Sequence, residues 1–259
     1  MDYREKRGIG NMGQETGSTA VRTLWSLVWE IKERFALEGE RMMAVVAVAV
    51  LLCAVAGYLL GSLNAAILLS RLRLRRDVRE CGSGNAGATN MLRTYGTKYA
   101  VLTLALDMLK AAVSVALGYL IFGTTGASVA GFFCVFGHMF PLYYHFRGGK
   151  GVACTAIVIL MLSPWAFLVI LGCFIVVVAF TRYVSLASIL CALLYPLLLR
   201  AFPPFGDRGI PLVMAVLTTV FVVFMHRENI RRLYEGKESK LDFHRKNKGD
   251  GGKDGDDHA

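Results

Sequence analysis

An all-α integral membrane protein of about seven transmembrane helices is the fold class this sequence predicts. Three observations carry it. Of the 259 residues, 55% are hydrophobic, and the mean hydropathy is +0.49. The apolar residues lie in long blocks; Met42 to Ser70, for example, holds no charge. The segments between blocks are short, and several are strongly basic, which sets the orientation of a membrane protein. The formal net charge is +10, from 29 Lys and Arg against 19 Asp and Glu. That excess suits anionic lipid or substrate. It does not suggest nucleic acid, because no basic, aromatic-rich soluble domain accompanies it. The six cysteines form no Cys-x-x-Cys pair and read as packing residues.

From the amino end, residues 1–40 form an extension. Its first 17 residues are polar and read as disordered. Over 19–38, Leu24, Val28, Ile31 and Phe35 recur at helical spacing beside Trp25 and Trp29, which predicts an interfacial amphipathic helix. The membrane domain covers 41–234. Its first span is Met42 to Ser70. A basic segment from Arg71 leads into a Gly-rich loop, and span 2 runs from Tyr99 to Phe122. Asp107 and Lys110 share one face of that span, and ionisable groups inside a span usually face protein. Span 3 runs from Ala127 to Phe146, with Pro141 expected to kink or break it. The apolar run Val152 to Phe180 is too long for one crossing at about 1.5 Å per residue. Ser163-Pro164 offers a turn, so the run divides into spans 4 and 5. Spans 6 and 7 cover Leu186 to Leu199 and Ile210 to Met225. The tail, 235–259, is charged and reads as disordered.

With seven spans, four polar motifs fall on one side: 82–93, 147–151, 181–185 and 226–229. Their loops and the tail carry 19 Lys and Arg, against two in the outer loops, Arg200 and Arg208, while residues 1–41 carry seven basic and seven acidic side chains and weigh little. This asymmetry predicts an outside amino terminus and a cytoplasmic carboxyl terminus.

The chemistry concentrates in these motifs. Gly82, Ser83, Gly84, Asn85, Gly87, Thr89, Asn90 and Arg93 make a glycine-rich loop closed by a cation. Such a loop before a helix start turns backbone N–H groups toward an anion. Gly149, Lys150 and Gly151 form a second glycine-rich basic turn. Ser83 and Ser185 are candidate hydrogen-bond donors to substrate. His226 and Asn229 are three apart and share a face if the helix continues. His226 could orient or deprotonate a hydroxyl, although a substrate phosphate could take that proton instead. His138, beside Phe140 and Pro141, reads as structural.

In order and spacing these motifs resemble the bacterial acyl-phosphate:glycerol-3-phosphate acyltransferase family. The resemblance covers about residues 57–238. It rests on Tyr58 to Ser62, Asp77 to Arg79, Gly82 to Arg93, Leu106 to Lys110, Gly137 to Pro141, Phe146 to Ala153, Arg182 to Ser185 and His226 to Ile230. Asn64 stands where the family usually has proline, and Cys154 where it usually has threonine. The resemblance implies a cytoplasm-facing enzyme of the bacterial inner membrane. It would move a fatty acyl group from acyl phosphate to the 1-hydroxyl of glycerol 3-phosphate, giving lysophosphatidic acid and phosphate, the first step of phospholipid synthesis. Its partners would be the two substrates, membrane lipids and the enzyme that supplies acyl phosphate; no metal or cofactor is implied. The competing class is a transporter or flippase for an anionic phospho-compound, which the Asp107/Lys110 pair would suit. Against it, no two halves of the chain look alike.

Overall fold

The computed structural model describes residues 19–204 and 209–241. The expectations for residues 1–17 and for 242–259 lie outside them. Two compact units divide the chain, 1–48 and 49–259. In the first, the described residues form only the beginning of helix α1 (Thr19–Ser62). No break separates an interfacial helix over 19–38 from the first span, because the helical stretch is continuous.

Helix α1 ends at Ser62, and span 1 is therefore not one helix to Ser70. Asn64 opens α2 (Ala65–Leu74), its Oδ1 accepting the Ile67 N–H at 3.1 Å. This is the side-chain capping that a helix start requires. Arg71 and Arg79 both donate to the Asp77 carboxylate at 2.8 Å. The Arg79 bonds hold that carboxyl well below the usual range. Helix α3 (Ala88–Tyr95) follows the first glycine loop.

Helix α4 (Thr97–Met139) is interrupted at Phe122 and at Gly123, whose φ of 54° favours glycine. Its two arms run antiparallel, since Ser114 Oγ donates to the Ala130 carbonyl at 3.0 Å. These arms are the expected spans 2 and 3. The second arm stops at Met139 rather than Phe146, because Pro141 has no N–H to continue the ladder. Helices α5 (Val152–Leu162) and α6 (Pro164–Thr181) meet at Ser163, which caps α6 ahead of Pro164 at its first position. Helices α7 (Val184–Ala201), α8 (Gly209–Met225) and α9 (Arg227–Tyr234) complete the order, with a 55° bend between the last two.

Among the described residues, four helical stretches are long and apolar enough to cross a membrane, or five if the bent α8–α9 pair counts as one. One of the four is the folded-back α4, and α5 is a shorter apolar helix. The run from α5 to α6 also doubles back. Lys150 before it bonds Asn229, Ser185 after it bonds Glu238, and Asn229 and Glu238 bond each other.

Glycines set how closely α1 meets the second arm of α4. A Cβ on Gly57 would lie 2.3 Å from the Ala130 carbonyl oxygen, and one on Gly61 only 2.1 Å from that of Cys134. From the other side, a Cβ on Gly137 would lie 2.4 Å from the Tyr58 carbonyl oxygen. Small residues four apart let helix backbones touch, which is where van der Waals packing in a membrane is strongest. Gly61→Val should therefore force the two helices apart, at a cost of about 1–3 kcal/mol. Gly172, with nothing near its Cβ position, is the control. Thermal melting in detergent should show Gly61→Val several degrees below Gly172→Val; equal melting temperatures would contradict this packing.

Candidate active site

The first glycine loop is folded by its own side chains. Gly82 and Gly84 take positive φ values of 58° and 72°. Asn90 is buried beneath them. Its Nδ2 donates to the carbonyls of Val78 and Cys81, both at 3.0 Å, and its Oδ1 accepts the Ser83 N–H at 2.9 Å. Asn90 thus shapes the loop through three backbone groups. The Ser83 N–H is engaged in the same way, while the Ser83 side chain is exposed. Gly87 precedes α3 in extended conformation. Among the described residues, the N–H groups of Asn85, Ala86, Ala88 and Thr89 make no hydrogen bond within the protein. Ala88 and Thr89 open α3, Asn85 and Ala86 stand just before its cap at Gly87, and unpaired N–H groups at a helix start are the kind of backbone that binds anions.

The second turn is tied to the first. Arg79 Nη1 donates to the carbonyls of Tyr144 and Arg147 at 2.9 and 3.0 Å. The Gly148 and Gly149 N–H groups bond to the carbonyls of Met139 and His138, both at 3.1 Å. A Cβ on Gly149 would lie 2.6 Å from the Ala86 carbonyl oxygen, so only glycine lets the loops approach this closely. Gly151, at φ 77°, then turns the chain into α5.

Beyond Gly149, the Lys150 ammonium donates to Asn229 Oδ1. Asn229 Nδ2 donates to Glu238 Oε1 at 2.6 Å, and Ser185 Oγ donates to the same oxygen at 2.7 Å. Arg232 Nε donates to the other carboxylate oxygen at 2.8 Å. The segment after α9 is held against the α6–α7 turn by the Leu241 N–H, 2.8 Å from the Arg182 carbonyl. These bonds tie residues 235–241 to α7 and α9, while the rest of the expected tail lies outside the described residues.

His226 lies past the end of α8, at the bend into α9, and is buried. Its Nδ1 donates to the Val222 carbonyl at 2.8 Å, which leaves Nε2 as an acceptor in the neutral ring. Burial pushes its pKa down to about 4, so the ring is neutral at physiological pH. Burial likewise lowers Lys150 to about 8; Glu238 opposes this, while Arg232 and Arg93 add to it. Burial would raise Glu238, but the bonds from Ser185, Asn229 and Arg232 outweigh it and hold the carboxylate below its ordinary range.

The structure thus joins Lys150, Ser185 and Asn229 through Glu238, and sets Arg93 and His226 within electrostatic reach of Lys150. Among the described residues no hydrogen bond links Ser83 to this cluster. Sequence reasoning missed Glu238 and Arg232. The sequence signal for Glu238 was weak, since it is one of seven acids among six Lys and Arg over 235–259. It also missed Asn64, whose Nδ2 donates to the Ala86 carbonyl at 3.3 Å.

Fold and site together define a multi-pass helical membrane protein in which two glycine-rich turns and a cluster of basic and polar side chains come together. The glycerol-3-phosphate acyltransferase family model matches residues 51–236. A relative of that name from Thermoanaerobacter pseudethanolicus is 41% identical over 190 residues, covering 73% of this chain and 94% of its own. Another from Agrobacterium fabrum is 42% identical, covering 73% and 91%. Among solved structures, PlsY, an integral membrane glycerol 3-phosphate acyltransferase, matches in its glycerol 3-phosphate form. The TM-score is 0.69 at 35% identity, covering 74% of this chain and 96% of that one. Its lysophosphatidic acid form matches at 0.67. The chain belongs to the glycerol-3-phosphate acyltransferase family.

Lys150 gives a pH test. Its charged form attracts an anion, and with a pKa of about 8 that form is present below this pH and lost above it. The KM for glycerol 3-phosphate should accordingly rise as pH increases past about 8, approaching tenfold per unit. A KM that stays flat from about pH 7 to about pH 9.5 would remove Lys150 from phosphate binding.

Proposed function

We propose that this chain transfers a fatty acyl group from acyl phosphate to the 1-hydroxyl of glycerol 3-phosphate at the cytoplasmic face of the bacterial inner membrane. The products are 1-acyl-glycerol 3-phosphate and inorganic phosphate. The observation that carries this reading is the junction of two glycine turns, one offering unpaired N–H groups and the other Lys150. Both proposed substrates carry a phosphate.

In this reading the N–H groups of Asn85, Ala86, Ala88 and Thr89 hold the acyl phosphate. Lys150 and Arg93 hold glycerol 3-phosphate, with Ser185 and Asn229 as neighbouring donors. The glycerol 1-oxygen attacks the acyl carbon; the new ester bond forms as the carbon–oxygen bond to phosphate breaks. Negative charge grows on the leaving phosphate, and fixed N–H groups that bind it more tightly at that point lower the barrier. The hydroxyl proton goes to His226 Nε2 or to a phosphate oxygen. With His226 lowered to about 4 and a phosphate monoester near 6, the phosphate is the stronger base.

The donor assignment also has support from an absence in sequence. None of His138, His145 and His226 has an acid five residues on; those positions hold Tyr143, Lys150 and Arg231. A carboxylate-oriented histidine base of that spacing, suited to thioester donors, is therefore missing. Product formation with each donor at equal chain length is the test. Turnover with acyl phosphate and little with acyl-CoA is expected; comparable turnover with acyl-CoA would overturn the reading.

Seven crossings with the carboxyl terminus inside complete the proposal, supported by the 19-to-2 charge asymmetry and by the turning-back of the α5–α6 run. Cysteines placed at 93, 150, 182 and 226 should all label from the cytoplasmic side. Labelling of the last two from outside would exclude this topology.

A further inference from the structure

The buried ionic cluster of α4 lies outside the chemistry described so far. Lys110 is 8% exposed and Asp107 2%. The Lys110 ammonium lies 2.9 Å from Asp107 Oδ1 and 3.0 Å from His138 Nδ1. It also donates to the carbonyls of Gly61 and Leu63 at 3.0 and 2.8 Å. Those carbonyls belong to the end of α1, where the helix leaves them unpaired and partly negative. Asp107, His138 and Cys154 converge closely enough to suggest a metal site, but Lys110 already supplies the cation there.

Both glycine turns rest on this cluster. On one side, the gripped Leu63 is followed directly by Asn64, whose amide holds Ala86 in the first loop at 3.3 Å. On the other, the His138 carbonyl accepts the Gly149 N–H at 3.1 Å. The His138 ring Nε2 fills the space where a Gly149 Cβ would sit, 2.2 Å from that position. Ala86 and Gly149 then meet each other. Two anion-binding turns from distant parts of the chain are thus referred to one ammonium.

We propose that Lys110, with Asp107 and His138, is a positioning cluster that fixes the separation of the two glycine turns and so aligns acyl donor with acceptor. This rests on the reading that each turn holds one phosphate. Geometry of this kind matters strongly, because a misplacement of about 1 Å between reactants costs on the order of a hundredfold in rate.

The experiment uses the full chain in detergent, with glycerol 3-phosphate and each donor. Wild-type turnover is measured first. Its absence with acyl phosphate counts against the donor reading, whereas comparison among variants decides the proposal with whichever donor reacts. Lys110→Met strands the buried Asp107 charge and should lower the melting temperature. The Asp107→Asn/Lys110→Met double variant removes both charges. It should regain most of the melting temperature while kcat stays about tenfold to about a hundredfold low, since Leu63 is no longer gripped. Recovery of kcat together with the melting temperature would overturn the proposal, as a merely structural ion pair predicts. Where the double variant does not fold, His138→Asn decides, because it keeps the ion pair but removes the ring beneath Gly149. Assayed where both proteins are folded, it should raise the KM for glycerol 3-phosphate at least severalfold; an unchanged KM would overturn the proposal.

Discussion

The backbone contact between α1 and the second arm of α4 is the constraint on which the polar end depends. Gly57, Gly61 and Gly137 bring carbonyls of one helix onto the Cα positions of the other. Lipid gives no hydrophobic driving force between helices, so such close packing is the main source of their association. It also places Tyr58 Oη 3.0 Å from the Phe140 carbonyl, and the Leu142 N–H 3.2 Å from Ser62 Oγ. The irregular backbone after each helix is thereby satisfied inside protein, as non-helical backbone at membrane depth must be. Larger residues at these glycines would separate the two strands of chain that lead into the glycine turns.

From that junction the site is built by reciprocal bonding. Asn90 holds the first loop from below, Arg79 ties it to the second, and Glu238 gathers residues from α7 and α9 with the segment beyond. A carboxylate accepting from Ser185, Asn229 and Arg232 is a fully engaged anion. It fixes donors that would otherwise repel or wander, and it sits among the cations that would receive substrate phosphate. The balance of charge is consequently local. Burial weakens the Lys150 proton while the nearby Glu238 partly restores it, which leaves the ammonium responsive to an arriving anion.

Membership in the glycerol-3-phosphate acyltransferase family covers 51–236, and the helices and turns described above fall almost wholly within that range. Glu238 stands just beyond it. The beginning of α1 lies outside as well. On the function proposed above, the chemistry would fall on glycines where backbone must approach backbone and on cations where two anions would adjoin.

Local physical chemistry made much of this readable from sequence alone. Uncharged blocks of membrane length, the Ser163-Pro164 break, the glycine hinge at 123 and the one-sided basic turns follow from neighbours within a few residues. The motifs 82–93, 147–151, 181–185 and 226–229 were legible for the same reason, and their charge led to the expectation that they share one side. The tertiary structure alone decided who satisfies each buried polar group. Asn90 turned inward to three backbone groups, and Lys110 found the carbonyls of Gly61 and Leu63, almost fifty residues earlier in the chain. The tail returned Glu238 to Ser185, 53 residues away. Spacing encodes helix faces and turns, but an unpaired donor in a low-dielectric interior accepts whichever partner the packing delivers. That choice is long-range, and for this reason it is written in the fold and not in any single stretch of sequence.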